Sequence, residues 1–253
     1  MRRIINLPPQ GKALIITDLH GNLEDYQKYQ KLWDHYLEEG HNIVLTGDLI
    51  HSTSPEKDGS VDMLESVMDY CQCENFHFLL GNHECCHIIG KHIYKGLSNQ
   101  KEDFEEQLKI KFGYRWVEKL DEYVEFFKTL PFAVKTCNGV IISHGGPPQD
   151  FTSLEELECV TEDDYIFNEK LTGLLWRREF QYTEDELELF LEHNQSRFHV
   201  VGHSPVDGFK VSYDKQLILS SSYSRGRKAY LELDLEIKLE KMSNLTKLIR
   251  LLE

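Results

Sequence analysis

The chain's 253 residues can bury a sizeable core, and 40% hydrophobic with 11% aromatic content is ordinary for a soluble globular protein. A formal charge of -15 argues against nucleic acid as the main partner, because phosphate backbones select basic surfaces. No apolar run reaches membrane-spanning length, the basic start lacks a signal-peptide core, and six cysteines without a CxxC pair outline no disulfide framework, so a reducing cytoplasmic setting without a membrane partner is expected.

The first predicted strand is Ala13–Thr17, which runs into Asp18-Leu19-His20-Gly21-Asn22. Apolar residues then recur at Leu23, Tyr26, Tyr29, Trp33 and Tyr36, the spacing of a helix, with Gly40 as its stop. Asn42–Thr46 is a second strand ending in Gly47-Asp48, and Val61, Leu64, Val67 and Met68 mark a second helix. The apolar run Phe76–Leu80 is a third strand, closed by Gly81-Asn82-His83-Glu84, where glycine is expected to turn the backbone sharply. This alternation is βαβ wiring and predicts a largely parallel sheet with its strand tips on one side.

From about residue 86 to 130 the pattern is helical and charged, with Phe104, Leu108 and Phe112 on one helix and Trp116, Leu120, Tyr123, Val124 and Phe127 on another. Ala133–Lys135 and Val140–Ile142 flank Asn138-Gly139, a hairpin signal, and lead to Ser143-His144-Gly145-Gly146-Pro147. An acidic helical stretch covers about 153–172, and Thr183-Glu184-Asp185-Glu186 is a capping box. Phe198–Val201 is a strand ending in Gly202-His203, and Val211, Gln216–Leu219 and Lys228–Leu235 read as closing antiparallel strands.

Five predicted strands thus end in Asp18 and His20, Asp48, Asn82 and His83, His144, and His203. Carboxylate, imidazole and amide oxygen are ligands for hard and borderline divalent metals, and no thiolate belongs to the set. Two metals sharing a carboxylate use this many ligands more naturally than one, and such a pair suits phosphoryl transfer.

The ordered set Asp-x-His-Gly-Asn, Gly-Asp, Gly-Asn-His-Glu, His-Gly-Gly and Gly-His resembles the calcineurin-like metallophosphoesterase superfamily. Cys85 after Glu84, Ser143–Pro147 and Leu174-Leu175-Trp176 are similar to its phosphoprotein phosphatase branch, of bacterial or phage type. The resemblance implies an α/β/β/α sandwich, with two packed mixed β-sheets flanked by helices, a metal site at the strand C-terminal tips and a helical cap at about 86–130 within a single domain spanning 1–253. It implies that Asp18, His20 and Asp48 hold one metal, and that Asp48, Asn82, His144 and His203 hold a second, with Asp48 bridging. A metal-bridging hydroxide would attack phosphorus, and His83 would serve the leaving oxygen as general acid or hydrogen-bond partner. Manganese is the first choice of metal, with iron and zinc compatible.

Two departures from the branch stand out. It usually reads Gly-Asp-x-Val-Asp-Arg-Gly where this chain has Gly47-Asp48-Leu49-Ile50-His51-Ser52-Thr53. His51 replaces the aspartate that supports the general-acid histidine, and Ser52 replaces a phosphate-binding arginine. Leu175–Glu179 resembles the Trp-x-Arg segment of bacterial phosphatases, which makes Arg178 a phosphate contact with Arg177 as its alternate, and Tyr223 stands where relatives carry a tyrosine at the substrate's edge. The expected function is hydrolysis of phosphate monoesters, on phosphoserine or phosphothreonine or on a small phosphorylated molecule. The missing arginine keeps open the cleavage of dinucleoside polyphosphates, and a non-catalytic scaffold of the same fold is the alternative from another class.

Overall fold

Short apolar runs bounded by glycine, proline and polar turns form the strands of this chain, and they sort into two large sheets. The computed structural model describes residues 2–52, 54–96, 98–149, 153–161 and 164–253. Strands β1 (Ile4–Asn6) and β2 (Lys12–Ile16) are followed by helix α1 (Leu23–Glu38), β3 (Asn42–Leu45), α2 (Ser60–Tyr70) and β4 (Phe76–Phe78). Then come α3 (Asn82–Ile88), the short antiparallel pair β5 (Tyr94–Lys95) and β6 (Ser98–Asn99), and helices α4 (Gln100–Phe112) and α5 (Trp116–Thr129). The remainder holds β7 (Ala133–Lys135), β8 (Val140–Ser143), α6 (Asp164–Phe167), α7 (Glu169–Trp176), α8 (Glu184–His193) and β9 (Phe198–Val201). It ends with β10 (Phe209–Ser212), β11 (Gln216–Leu219), β12 (Ala229–Asp234), α9 (Met242–Thr246) and β13 (Ile249–Leu251).

One sheet has the order β13-β12-β2-β3-β4 and the other β1-β7-β8-β9-β11-β10. The expected parallel wiring survives as β2, β3 and β4, with Ile15 beside Val44 and Val44 beside His77. It is not the whole first sheet, because β12 adds antiparallel to β2 and β13 to β12. In the second sheet β8, β9 and β11 run parallel, while β7 and β10 pair antiparallel with β8 and β11. Both sheets are therefore mixed, as the α/β/β/α reading requires.

Strand periodicity decides which layer each side chain joins, because alternate residues face opposite sides of a sheet. Ala13 and Ile15 of β2 pack with Val140, Ile142, Val200 and Leu217 between the two sheets. Leu14 and Ile16 turn the other way, into a core with Tyr26, Tyr29 and Trp33 of α1 and Leu64 and Val67 of α2. The Trp33 ring meets Tyr26 at 5.1 Å and Phe76 at 5.5 Å, both edge to face. Phe104, Leu108, Tyr123 and Phe127 are the buried hydrophobic residues of the predicted helices α4 and α5.

Three local expectations change. The acidic stretch after residue 152 is not one helix but a 3-10 turn (Leu154–Cys159), then α6 and α7. Asn168 restarts the chain by capping α7, its side chain accepting the Leu171 N–H at 2.9 Å. Asn82 and His83 do not lie in a turn; they open helix α3. Gly81 has an ordinary extended backbone (φ -96°), so its need for glycine is space: a Cβ there would stand 2.3 Å from the Asp48 nitrogen and 2.6 Å from a Glu84 oxygen. Strands β1 and β13, the β5–β6 pair and helix α9 had no distinct sequence signal, because each element is five residues or fewer, and β1 takes its pairing from the distant β7.

Behind the site lies His199, fully buried on β9, bonded to the Ser143 hydroxyl at 2.7 Å and close to the Gln216 amide at 3.2 Å. Burial pushes its pKa down to about 3.

Two outcomes follow from this packing. Gly81→Ala destabilises the protein by about 1–3 kcal/mol, the usual cost of overpacking, and lowers activity with it; calorimetric melting checks the first and an ester assay the second. His199 has a folded pKa below its unfolded value, so its neutral form stabilises the fold fully above about pH 6.5 and progressively less toward about pH 3. Stability against urea therefore falls on acidification through this window, and His199→Asn makes the slope shallower by up to about 1.4 kcal/mol per pH unit.

Candidate active site

The tips of β2, β3, β4, β8 and β9 deliver Asp18 and His20, Asp48, Asn82 and His83, His144, and His203, as the sequence pattern anticipates. All but Asp18 and His20 are buried, and those two are partly covered. The loops that carry them are sharply bent: Asp18, His20, Asp48, His51 and His203 have φ of 43°, 45°, 53°, 72° and 60°, in the left-handed region that L-residues avoid. Such backbone costs on the order of 1–3 kcal/mol per residue and persists only where surroundings over-determine it. Here the determinants are visible. The N–H of His20 donates to the Asp48 carbonyl at 2.9 Å and that of Gly21 to Leu49 at 2.8 Å. The Glu84 carboxylate accepts the N–H groups of Asp48 and Leu49, both at 2.9 Å, and of Ile50 at 3.4 Å.

Asp48 is the centre of the constellation. Its Oδ2 faces His20 Nε2 at 3.7 Å and His83 Nε2 at 3.8 Å, while its Oδ1 faces His144 Nε2 at 3.4 Å and accepts the His83 N–H at 3.0 Å. Two groupings able to hold a cation result, one of His20, Asp48 and His83 and the other of Asp48, His144 and His203. Asp18 lies at their edge, both of its oxygens accepting the His203 N–H at 3.0 Å. Asn82 Oδ1 joins the second group, 2.8 Å from His144 Nε2.

The hydrogen bonds on the far side of each ring set which nitrogen is bare. His144 places Nδ1 at 3.0 Å from the Thr46 carbonyl and His20 places Nδ1 at 3.2 Å from the Ile50 carbonyl, so both turn a bare Nε2 inward. His203 Nε2 lies 3.1 Å from the Trp176 carbonyl and accepts from Arg178 Nε–H at 3.0 Å, and its Nδ1 stands 3.1 Å from His144 Nε2. The bare Nε2 atoms of His20 and His144, the Asn82 amide oxygen and the Asp48 carboxylate thus converge. That donor set fits divalent cations and is repulsive without one.

Burial raises the carboxyl groups of Asp18, Asp48 and Glu84, each to about 7. Burial also lowers the imidazoles: His20 and His87 to about 3, and His51, His83 and His203 well below the ordinary value. The rings are therefore neutral near pH 7, the form in which histidine binds metal.

The remaining predicted residues are distributed unequally. The Arg178 side chain reaches the cluster, with Nε 3.0 Å from His203 Nε2. Arg177 turns away, donating to the Pro147 carbonyl at 3.1 Å and Glu186 at 2.8 Å while its guanidinium covers the Tyr182 ring. His51 is buried, with Nδ1 2.8 Å from His83 Nδ1. Tyr223 is half-buried in the turn before β12, its ring against Gly226.

Three further residues were not anticipated at the site. Glu84, legible only as a helix N-terminal acid, is the anchor of the Asp48 loop. His87 continues the histidine contacts beyond His51 at 2.9 Å; its spacing of four from His83 on a helix was the available clue. Lys95, on the exposed strand β5, places its charge in the field of His20, Asp48 and His83.

The family model described as calcineurin-like phosphoesterase matches residues 11–238. A probable serine/threonine-protein phosphatase of Encephalitozoon cuniculi is 23% identical over 252 residues, a match that takes in 91% of this chain and 52% of the relative, so the chain spans about half of that protein's length. Among solved structures, a protein serine/threonine phosphatase of Saccharomyces cerevisiae superposes with a TM-score of 0.69 at 19% identity, over 91% of this chain and 76% of that one. The cold-active protein-tyrosine phosphatase of a psychrophilic Shewanella species gives 0.65 at 18% identity, over 100% of this chain and 83% of that one. These structural likenesses show the fold. The matched stretch begins before Asp18 and ends beyond His203, takes in every residue of both groupings around Asp48, and shows that the chain belongs to the calcineurin-like phosphoesterase family.

Proposed function

We propose that the protein hydrolyses phosphate monoesters with two divalent cations shared by Asp48. The observation that carries this reading is the division of Asp48, whose two oxygens face separate histidine groups at 3.4–3.8 Å. Asp18, His20 and Asp48 would hold one cation, and Asp48, Asn82, His144 and His203 the other. When bound, the cations supply Lewis acidity at phosphoryl oxygens and lower the pKa of water. Manganese suits the mixed nitrogen and oxygen donors, as iron and zinc also do.

The chain's own residues do the rest. Arg178 offers a planar guanidinium to phosphate oxygens beside His203, and Lys95 adds positive field at Asp48, where Ser52 in place of the usual arginine supplies none. Arg177, held by Glu186 and Pro147, serves this segment by fixing the turn that aims Arg178. His83 stands beside Asp48 to donate to the leaving oxygen, with His51 behind it. Tyr223 would border the substrate from the β12 side.

Phosphoserine and phosphothreonine are the proposed targets, the activity that the names of the Encephalitozoon and Saccharomyces relatives carry. The acidic surface favours basic or neutral segments around the phosphate. The whole chain would act as one domain, with α3, α4 and α5 as the cap beside the site, in a reducing cytoplasm that its six unpaired thiols suit.

A manganese-supplemented panel of p-nitrophenyl phosphate, phosphopeptides and diadenosine tetraphosphate tests the reading. Turnover of the esters is expected; a protein that leaves them untouched overturns it, and faster cleavage of the tetraphosphate would move it to anhydride hydrolysis. Asp48→Asn should lose both bound manganese and rate, whereas His83→Asn should keep the metal and lose about 10²–10⁴ in kcat. With carboxyl groups near 7, metal binding must displace protons, so manganese affinity weakens as pH falls from about 8 to about 6; calorimetry in buffers of different ionisation heat should register the released protons.

A further inference from the structure

His83 and His87 stand one turn apart on α3, and His51 reaches between them from the loop after β3. His51 Nδ1 lies 2.8 Å from His83 Nδ1, and His51 Nε2 lies 2.9 Å from His87 Nε2. The row is closed from water, with exposures of 1%, 8% and 6% for His51, His83 and His87. Phe104 packs on His51 at 5.8 Å and on His87 at 5.1 Å, and Phe127 lies 6.3 Å from His87. The left-handed backbone of His51 (φ 72°) and the bond from its N–H to the Ser60 hydroxyl at 2.9 Å hold the middle ring in place.

We propose that His51 and His87 are positioning residues: the buried row His87–His51–His83 fixes the orientation of the His83 ring and keeps its hydrogen on Nε2, the nitrogen turned toward Asp48. Each nitrogen–nitrogen contact needs one hydrogen, and each neutral ring has one to give. Suppose His51 carries its hydrogen on Nε2. It then donates to His87, whose own hydrogen moves to Nδ1, a buried atom with no partner among the described residues. At the other end His83 donates from Nδ1 and turns a bare Nε2 toward the Asp48 carboxylate 3.8 Å away, lone pair against lone pair. With the hydrogen on His51 Nδ1 both faults disappear. His87 donates from Nε2, His51 donates from Nδ1, and His83 presents Nε2–H to Asp48 and to whatever oxygen arrives beside it. The one cost is an unused lone pair on His87 Nδ1, and a buried N–H without an acceptor is the rarer fault in proteins. All three donors then point toward the site. An aspartate at position 51 would do the opposite, drawing the hydrogen of His83 to Nδ1.

The rate test below rests on the phosphoesterase reading, whereas the spectroscopic test does not. Long-range proton–nitrogen correlation spectra of the metal-free 253-residue chain assign the ring nitrogens. The expected pattern is hydrogen on Nδ1 of His51 and on Nε2 of His83 and His87; hydrogen on Nδ1 of His83 overturns the proposal. In manganese-loaded enzyme, His87→Leu should lower kcat by about tenfold, the scale for an outer hydrogen-bond partner, with KM and bound manganese as in wild type. The loss should grow with the pKa of the leaving alcohol. His87→Gln, whose side-chain amide can donate from the same region, should recover most of it. A His87→Leu enzyme with wild-type kcat, or leucine and glutamine variants equally impaired, would sink the idea. Should His87→Leu fail to fold, or the wild type hydrolyse no ester, the wild-type spectrum still decides which nitrogens carry hydrogen.

Discussion

One carboxylate closed over three backbone N–H groups carries the rest of this site. Glu84, fully buried, accepts from Asp48, Leu49 and Ile50, and so holds the bend that turns the Asp48 side chain inward. The clamp needs β3 and β4 to end almost in contact. A Cβ on Gly47 would stand 2.4 Å from the Gly81 backbone, so two glycines at these tips are a steric requirement. Losing the Glu84 carboxylate would leave three buried donors without acceptors, at a cost of roughly 1–3 kcal/mol each before any effect on Asp48. The left-handed residues nearby are maintained by the same closure, which is how a strained loop survives in a stable fold.

The second sheet completes what the first begins. His144 and His203 arrive from β8 and β9, and each is bonded back to the first sheet's loops, His144 to the Thr46 carbonyl and His203 through its N–H to Asp18. The apolar layer between the sheets sets this alignment, since Ile15 and Val44 on one side meet Ile142 and Val200 on the other. The candidate metal groupings are thus assembled across a sheet–sheet interface, and close packing there fixes the positions of these side chains.

Much of the fold was legible because its signals are local. The strands β2, β3, β4, β8 and β9 are apolar runs closed by glycine or polar residues, α1 shows its period in Tyr26, Tyr29 and Trp33, and α8 opens with the capping box Thr183–Glu186 that the structure contains. The broken helix after residue 152 was misread because an acidic, partly apolar stretch has the right composition, while the restart depends on the single cap at Asn168. Glu84 could not be separated from an ordinary first-turn acid, since its partners lie more than thirty residues away on another strand's loop. Arg177 and Arg178 are neighbours in sequence, and only the turn around Gln181 sends one to Glu186 and the other to His203.

Sequence alone determined the chemistry available: which donors exist, in what order, and that each follows an apolar strand, because residue type and strand period are written position by position. Tertiary structure decided how the donors are used. The division of Asp48 between two groupings, the bare nitrogens of His20 and His144, and the row from His87 through His51 to His83 all depend on atoms brought together from distant segments. A nitrogen is bare or protonated according to what stands on the far side of its ring, and no local pattern records that.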